Sequence, residues 1–279
     1  SLVPIEGRKL ENIVALENLL EKGLQRDPDA SAVVSTAQRW SFEELDQASN
    51  RLCASYVGLG VKSGDRIASL MPNRAVLLVH YLACLKGAFV SVPLNYRYTH
   101  FEIDHALEKA EVSFLLYHGE RQKDVASALG DDSAVRSICY GGEGASDEPS
   151  FEALMNSTAI DYVAKAHSPE APAFIMFTSG STGPAKGVTH SRKSIAHCFS
   201  SSAAGFELNE SDVFLPASSI SHLGGLTFSF ATLVVGGRVV VARQHDTEEI
   251  VSLLRTERPT VVAILPAALF RLIREGHAT

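Results

Sequence analysis

A chain of 279 residues, 46% hydrophobic and 20% charged, carries enough apolar matter for one large globular domain or two modest ones. Its formal net charge of −7, with no basic block, excludes nucleic acid as a partner. Cys53, Cys84, Cys139 and Cys198 stand far apart without a C-x-x-C pair, which points to reduced thiols in a cytoplasmic protein rather than to a disulfide framework or a metal.

The start of the chain lacks the charged-then-apolar pattern of a leader, and Ile5-Glu6-Gly7-Arg8 coincides with a protease site used in expression tags. Residues 1–10 are therefore set apart as a tag or disordered start. From Glu11 onward apolar segments of helical and strand length alternate. Helical patterns fit Ile13 to Gln25, Phe42 to Leu59, Arg74 to Lys86, His100 to Lys109, Ser191 to Phe206, Leu223 to Val235, Thr247 to Arg255 and Ala267 to Arg274. Strand patterns lie at Ala32 to Val34, Arg66 to Met71, Phe89 to Val92, Val112 to Tyr117, Val135 to Tyr140, Ala173 to Phe177, Arg238 to Ala242 and Val261 to Leu265. Ser41 with Glu44, and Thr99 with Glu102, have capping-box spacing. Such alternation predicts an α/β fold of two Rossmann-like or flavodoxin-like parallel-sheet subdomains covered by helices. A break at Gly141 to Pro149 and a border near residue 165 divide it into residues 11–165 and 166–279. The apolar runs Ala75 to Leu85, interrupted by His80, and Leu223 to Val235 are too short to span a bilayer.

One stretch has a composition that folding alone does not require. The strand pattern Ala173 to Phe177 leads into Thr178, Ser179, Gly180, Ser181, Thr182 and Gly183, and then through Pro184 and Ala185 to Lys186. Glycines let backbone N–H groups approach a ligand, hydroxyls add donors, and one lysine adds a compact positive charge. That combination suits a phosphate chain. The Walker A pattern fails here, because Ala185 stands at its second glycine and Gly187 follows the lysine. A dinucleotide G-x-G-x-x-G at a strand-to-helix turn is missing too. Among the histidines there is no H-E-x-x-H spacing, no protein-ligated metal site is visible, and no G-x-S-x-G elbow occurs.

Thr178 to Val188 resembles the phosphate loop of the adenylate-forming superfamily, T-S-G-[ST]-T-G-x-P-K-G-[VA], with Ala185 replacing the usual proline. Trp40 to Leu45 looks like that family's L-[ST]-Y-x-E-L element, and Leu85 to Asn95 is similar to its L-K-A-G-A-x-x-V-P-[IL]-[DN] element, read with one residue fewer before the glycine. Leu215 to Gly225 occupies the place of P-x-F-H-x-x-G, with Ser221 where Phe is common. The resemblance runs from about Leu16 to the end and marks the acyl-CoA synthetase branch, as the truncated N-terminal domain of that fold.

The resemblance implies ATP-dependent activation of a fatty or aryl acid to an acyl adenylate, then thioester formation with CoA. ATP would bring Mg²⁺, held mainly by its own phosphates. Thr178, Ser179, Gly180, Ser181, Thr182, Gly183 and Lys186 are implied to bind phosphate, with Lys186 assisting the departing pyrophosphate. His222 is implied to border the reacting carboxylate, and His222, Leu223 and Gly224 to line the acid pocket. Relatives that activate amino acids carry an aspartate where this chain has Leu223, which would leave a substrate ammonium unpaired. Neither a Y-G-x-T-E string, nor the ribose-binding T-G-D segment, nor the C-terminal catalytic lysine of the family is found, so the chain reads as an N-terminal portion poorly active alone. An amino-acid adenylation domain and a non-catalytic scaffold of the same fold are the alternative readings.

Overall fold

The structure, a computed structural model, describes residues 13–142, 144, 149–156, 166–178, 185–243, 246–264 and 266–274. After a 3₁₀ turn at Leu16–Asn18 come α1 (Glu21–Arg26), β1 (Ser31–Val34), β2 (Arg39–Ser41), α2 (Phe42–Gly58), β3 (Arg66–Leu70), α3 (Ala75–Gly87), β4 (Val90–Pro93), α4 (His100–Lys109), β5 (Phe114–His118), α5 (Gln122–Leu129), β6 (Arg136–Tyr140) and α6 (Phe151–Met155). Then follow β7 (Pro172–Thr178), β8 (Lys186–Ser191), α7 (Arg192–Gly205), β9 (Val213–Pro216), α8 (Leu223–Val234), β10 (Arg238–Val240), α9 (Thr247–Glu257), β11 (Val261–Ala263) and α10 (Pro266–Arg274).

The strands form two sheets, one of order β11-β9-β10-β1-β2 and one of order β6-β5-β3-β4-β7-β8. Pairing is parallel except at β1–β2 and β7–β8, which place antiparallel strands at the edges. The α/β class with parallel sheets is thus the one the sequence predicts. Each sheet draws strands from both sides of residue 165: β7 and β8 join β3 to β6, and β1 and β2 join β9 to β11. The border itself falls at the end of residues 157–165, outside the described residues, as do residues 1–10 and most of the Gly141 to Pro149 break.

Period-two alternation sorts strand side chains between an inner and two outer layers. Ile67, Leu116, Phe174, Phe214 and Val239 share the inner cluster with α2, α3 and α8, with α7 alongside. Ala68, Leu115, Val92 and Ile175 turn outward under α4 and α5, and Leu215 and Val240 turn outward under α9 and α10. Helix α3 is buried at every position from Ala75 to Gly87, as an all-round apolar helix must be when it lies between two sheets.

Both predicted capping boxes form: Ser41 and Glu44 bond reciprocally at α2, and Thr99 and Glu102 at α4. The helix expected over Ile13 to Gln25 is instead the 3₁₀ turn and the short α1. Gly23 explains the close docking of α1, since a Cβ there would meet the Phe42 ring at 2.2 Å. Elements the sequence reading did not mark are β2, β8, β9, α5 and α6. Strand β8 is mostly exposed, and α5 is only two turns long, with Val125 buried and Ala128 and Leu129 half-buried beside it, too short a stripe for periodicity to mark.

Candidate active site

Thr178 and Lys186, expected from the sequence to bind phosphate, stand opposite each other as Cα partners at the loop end of the β7–β8 hairpin. Thr178 Oγ1 donates to the Lys186 carbonyl at 3.4 Å, a bond at the limit of useful length, so the hydroxyl is easily redirected to a ligand. Lys186 is exposed and its ammonium has no acidic partner among the described residues. The loop carbonyl of Ala185 lies 3.2 Å from His105 Nε2 on α4, which ties the hairpin to the outer helix layer. Gly187 is packed: a Cβ would stand 2.9 Å from Ile175 Cγ2. Ser179, Gly180, Ser181, Thr182 and Gly183 lie outside the described residues.

His222 is the N-cap of α8, in extended conformation and without a side-chain cap bond, and Leu223 and Gly224 begin the helix. All three are exposed. Between the two predicted glycines the structure separates roles. A Cβ at Gly224 would meet nothing within 4 Å, whereas at Gly225 it would lie 2.4 Å from the Ser219 carbonyl oxygen. Gly225 therefore lets α8 fold back on the segment before it, and Gly224 leaves its backbone open to a ligand. Helix α8 is anchored on α7 by Phe199 and Phe230, stacked at 5.1 Å, and by Cys198 Sγ and Thr227 Oγ1 at 3.4 Å.

A residue unmarked in the sequence holds this segment in place. Asn73, buried in the turn between β3 and α3, donates from Nδ2 to the Ser218 carbonyl at 2.7 Å and accepts from the Ile220 N–H at 2.9 Å. The signal available was its position, a polar residue just beyond the C-terminal end of a central parallel strand, where α/β folds gather ligands. The hydroxyls of Ser69, Tyr81 and Ser221 are buried as well. Burial drives the Tyr81 phenol well above its ordinary pKa, opposed by Ser221 and Ser69.

Beside Asn73 a cavity of about 470 Å³ opens where the two sheets present their strand ends, lined by Arg74, Tyr140 and Arg243 among others. Arg243 reaches across from the end of β10 to Glu120, which follows β5, at 2.9 Å, and Tyr96 donates to the same carboxylate at 2.8 Å. The Tyr96 bond and Arg243 lower the Glu120 pKa, while burial and Glu120 push Tyr96 up to about 12. No group of His, Cys, Asp and Glu able to hold a metal ion occurs among the described residues. No described helix is long and apolar enough to cross a membrane.

No hydrogen bond or ion pair among the described residues joins Thr178 or Lys186 to His222. Both groups nevertheless sit at the C-terminal ends of parallel strands, β7 and β9, the side on which such sheets bind substrates. Residues 20–279 match the family model described as AMP-binding enzyme. The 2-succinylbenzoate--CoA ligase of Listeria monocytogenes (serovar 1/2a) is 29% identical over 261 residues, covering 93% of this chain and 51% of that protein. A dimodular nonribosomal peptide synthase of Bacillus subtilis is 24% identical over 253 residues, covering 88% of the chain and 10% of that protein. Among solved structures, a long-chain-fatty-acid-CoA ligase, FadD1 from Archaeoglobus fulgidus, superposes with a TM-score of 0.86 at 22% identity, over 94% of this chain and 54% of that one. The chain thus spans about half the length of the CoA ligases it resembles. Two-sheet architecture and sequence match agree: the chain belongs to the AMP-binding enzyme family of the adenylate-forming superfamily, and corresponds to the N-terminal half of its acid–CoA ligases.

Proposed function

We propose that the protein carrying this chain activates a fatty or aryl carboxylic acid with ATP to an acyl adenylate, and then passes the acyl group to the thiol of CoA. The observation that carries this reading is the hairpin end, where the exposed Lys186 and the Thr178 hydroxyl stand paired with no acidic partner among the described residues. A hydroxyl donor and an unpaired ammonium fit a polyphosphate, which needs donors and positive charge together. ATP supplies the phosphoanhydride and its own Mg²⁺. The residues' task is positional and electrostatic.

A carboxylic acid with a pKa of about 4 is ionised at neutral pH, so its oxygen attacks the α-phosphorus without a general base. The bond from that phosphorus to the bridging oxygen breaks, and the electron pair leaves with pyrophosphate. Lys186 meets the charge that builds on the leaving group. Ser179, Gly180, Ser181, Thr182 and Gly183 complete the phosphate cradle in this reading. His222 borders the carboxylate, while Leu223 and the open Gly224 backbone form the near wall of the acid pocket. An exposed, uncharged Leu223 supports acids without an α-amino group, because a substrate ammonium would find no carboxylate there.

The test is acid-dependent exchange of labelled pyrophosphate into ATP by the intact protein, over fatty, aryl and amino acids. Exchange with fatty or aryl acids, reduced about 100-fold by Lys186→Ala, is the expected result. Exchange with amino acids alone would assign the chain to the peptide-synthetase side. A folded protein that exchanges with no acid would be a binding protein of this fold.

A further inference from the structure

The geometry points to Asn73 as a positioning residue that sets the His222 segment, and through it the acid subsite, from the opposite sheet; this rests on the acid-activating reading above. Asn73 follows β3 in one sheet, whereas Ser218 to Ile220 follow β9 in the other. The two hydrogen bonds of its side chain, at 2.7 and 2.9 Å, span 145 and 147 positions of sequence. The Nδ2 group donates and Oδ1 accepts, so only a carboxamide of this length serves both partners.

Tight geometry passes that restraint on to His222. The Ser221 N–H donates to Ser219 Oγ and the His222 N–H to the Ser219 carbonyl, both at 3.2 Å. Gly225 packs its α-carbon against the same carbonyl, which admits no Cβ. Ser219 to Gly225 is therefore one closed turn, and a shift of the Ile220 amide shifts the N-cap and first turn of α8 with it. Ile220 is also buried in the inner cluster and α8 leans on α7, while the Ala217 N–H bond to the Ala263 carbonyl at 2.9 Å ties the segment to the sheet of β9 itself. That last bond does not tie the turn to the sheet of β3, on which the β7–β8 hairpin stands. The two Asn73 bonds do, since β3 and β7 share one sheet with β4 between them.

The experiment uses the intact protein with the most active acid of the exchange panel. Asn73→Asp removes the donor and keeps size and acceptor; Asn73→Ser shortens the side chain. Each is made alone and together with His222→Ala, and melting is recorded for all. We expect each single variant to raise KM for the acid about tenfold, with KM for ATP changed less than about twofold. Added to His222→Ala, the same substitution is expected to change the acid KM less than about twofold, because the residue it positions is gone. Unaltered kinetics, equal effects on both substrates, full additivity with His222→Ala, or loss of fold in both variants would each overturn the proposal and leave Asn73 a structural bond. Absence of exchange in the wild type would sink the acid-activating reading instead, before any Asn73 variant is compared.

Discussion

Burial holds the His80 imidazole neutral and pushes its pKa down to about 3, while Nδ1 sits 2.9 Å from the Tyr56 hydroxyl in the inner layer. An unfolded histidine titrates near 6.5, so below that pH the unfolded chain takes up a proton that the folded chain refuses. The stabilisation is complete above about pH 6.5 and is lost as pH falls towards about 3, at about 1.4 kcal/mol per pH unit. Urea unfolding at pH 7 and pH 5 is expected to show that loss, about 2 kcal/mol over the interval, in the wild type and not in His80→Asn. Thr178 and Lys186 stood out in the sequence as candidates because Gly, Ser and Thr behind a strand and before one lysine serve few purposes, and the structure brings the two together across the β7–β8 hairpin. Asn73 did not stand out, because its partners are a carbonyl and an amide that any residue supplies, brought near only by the packing of one sheet over the other.

Where an element ends is a matter of backbone conformation as well as pattern. Helix α9 stops at Arg258, whose φ of 50° lies in the left-handed region that costs a side chain energy and glycine nothing. Arg258 is exposed, so little packing is lost on replacement. Arg258→Gly is expected to raise stability by about 0.5–1 kcal/mol, read as an increased melting temperature at unchanged exchange activity. Helices α2 and α4 announced themselves through their caps, and α3 through its unbroken apolar run. Strand β9 escaped notice because Val213 to Pro216 is short and ends in proline. Strand β8 did so because its one long neighbour is β7 and its outer edge faces away from any core, leaving Lys186 to Thr189 exposed.

At the scale of the whole molecule, the inner cluster takes side chains from both sheets and from α2, α3 and α8 at once. Two sheets sharing one core unfold together. Leu82, on α3 and 1% exposed, belongs to that cluster, and Leu82→Ala is expected to cost about 2–5 kcal/mol. Far- and near-ultraviolet circular dichroism should still report one coincident transition. Two separated transitions would show that the sheets are independent units. The sequence declared the parallel α/β class through its alternation of elements, but not which strands neighbour one another. Pairing such as Val33 with Val239 leaves no local trace. That pairing also imposes an order on biosynthesis. β1 and its hairpin partner β2 leave the ribosome about two hundred positions ahead of β10, the strand that pairs with β1, a wait of roughly 10–40 s at typical translation rates. The sheet of β3 to β8 is finished in that time. For the nascent chain, the N-terminal hairpin is an open strand edge that something else must cover until β10 arrives.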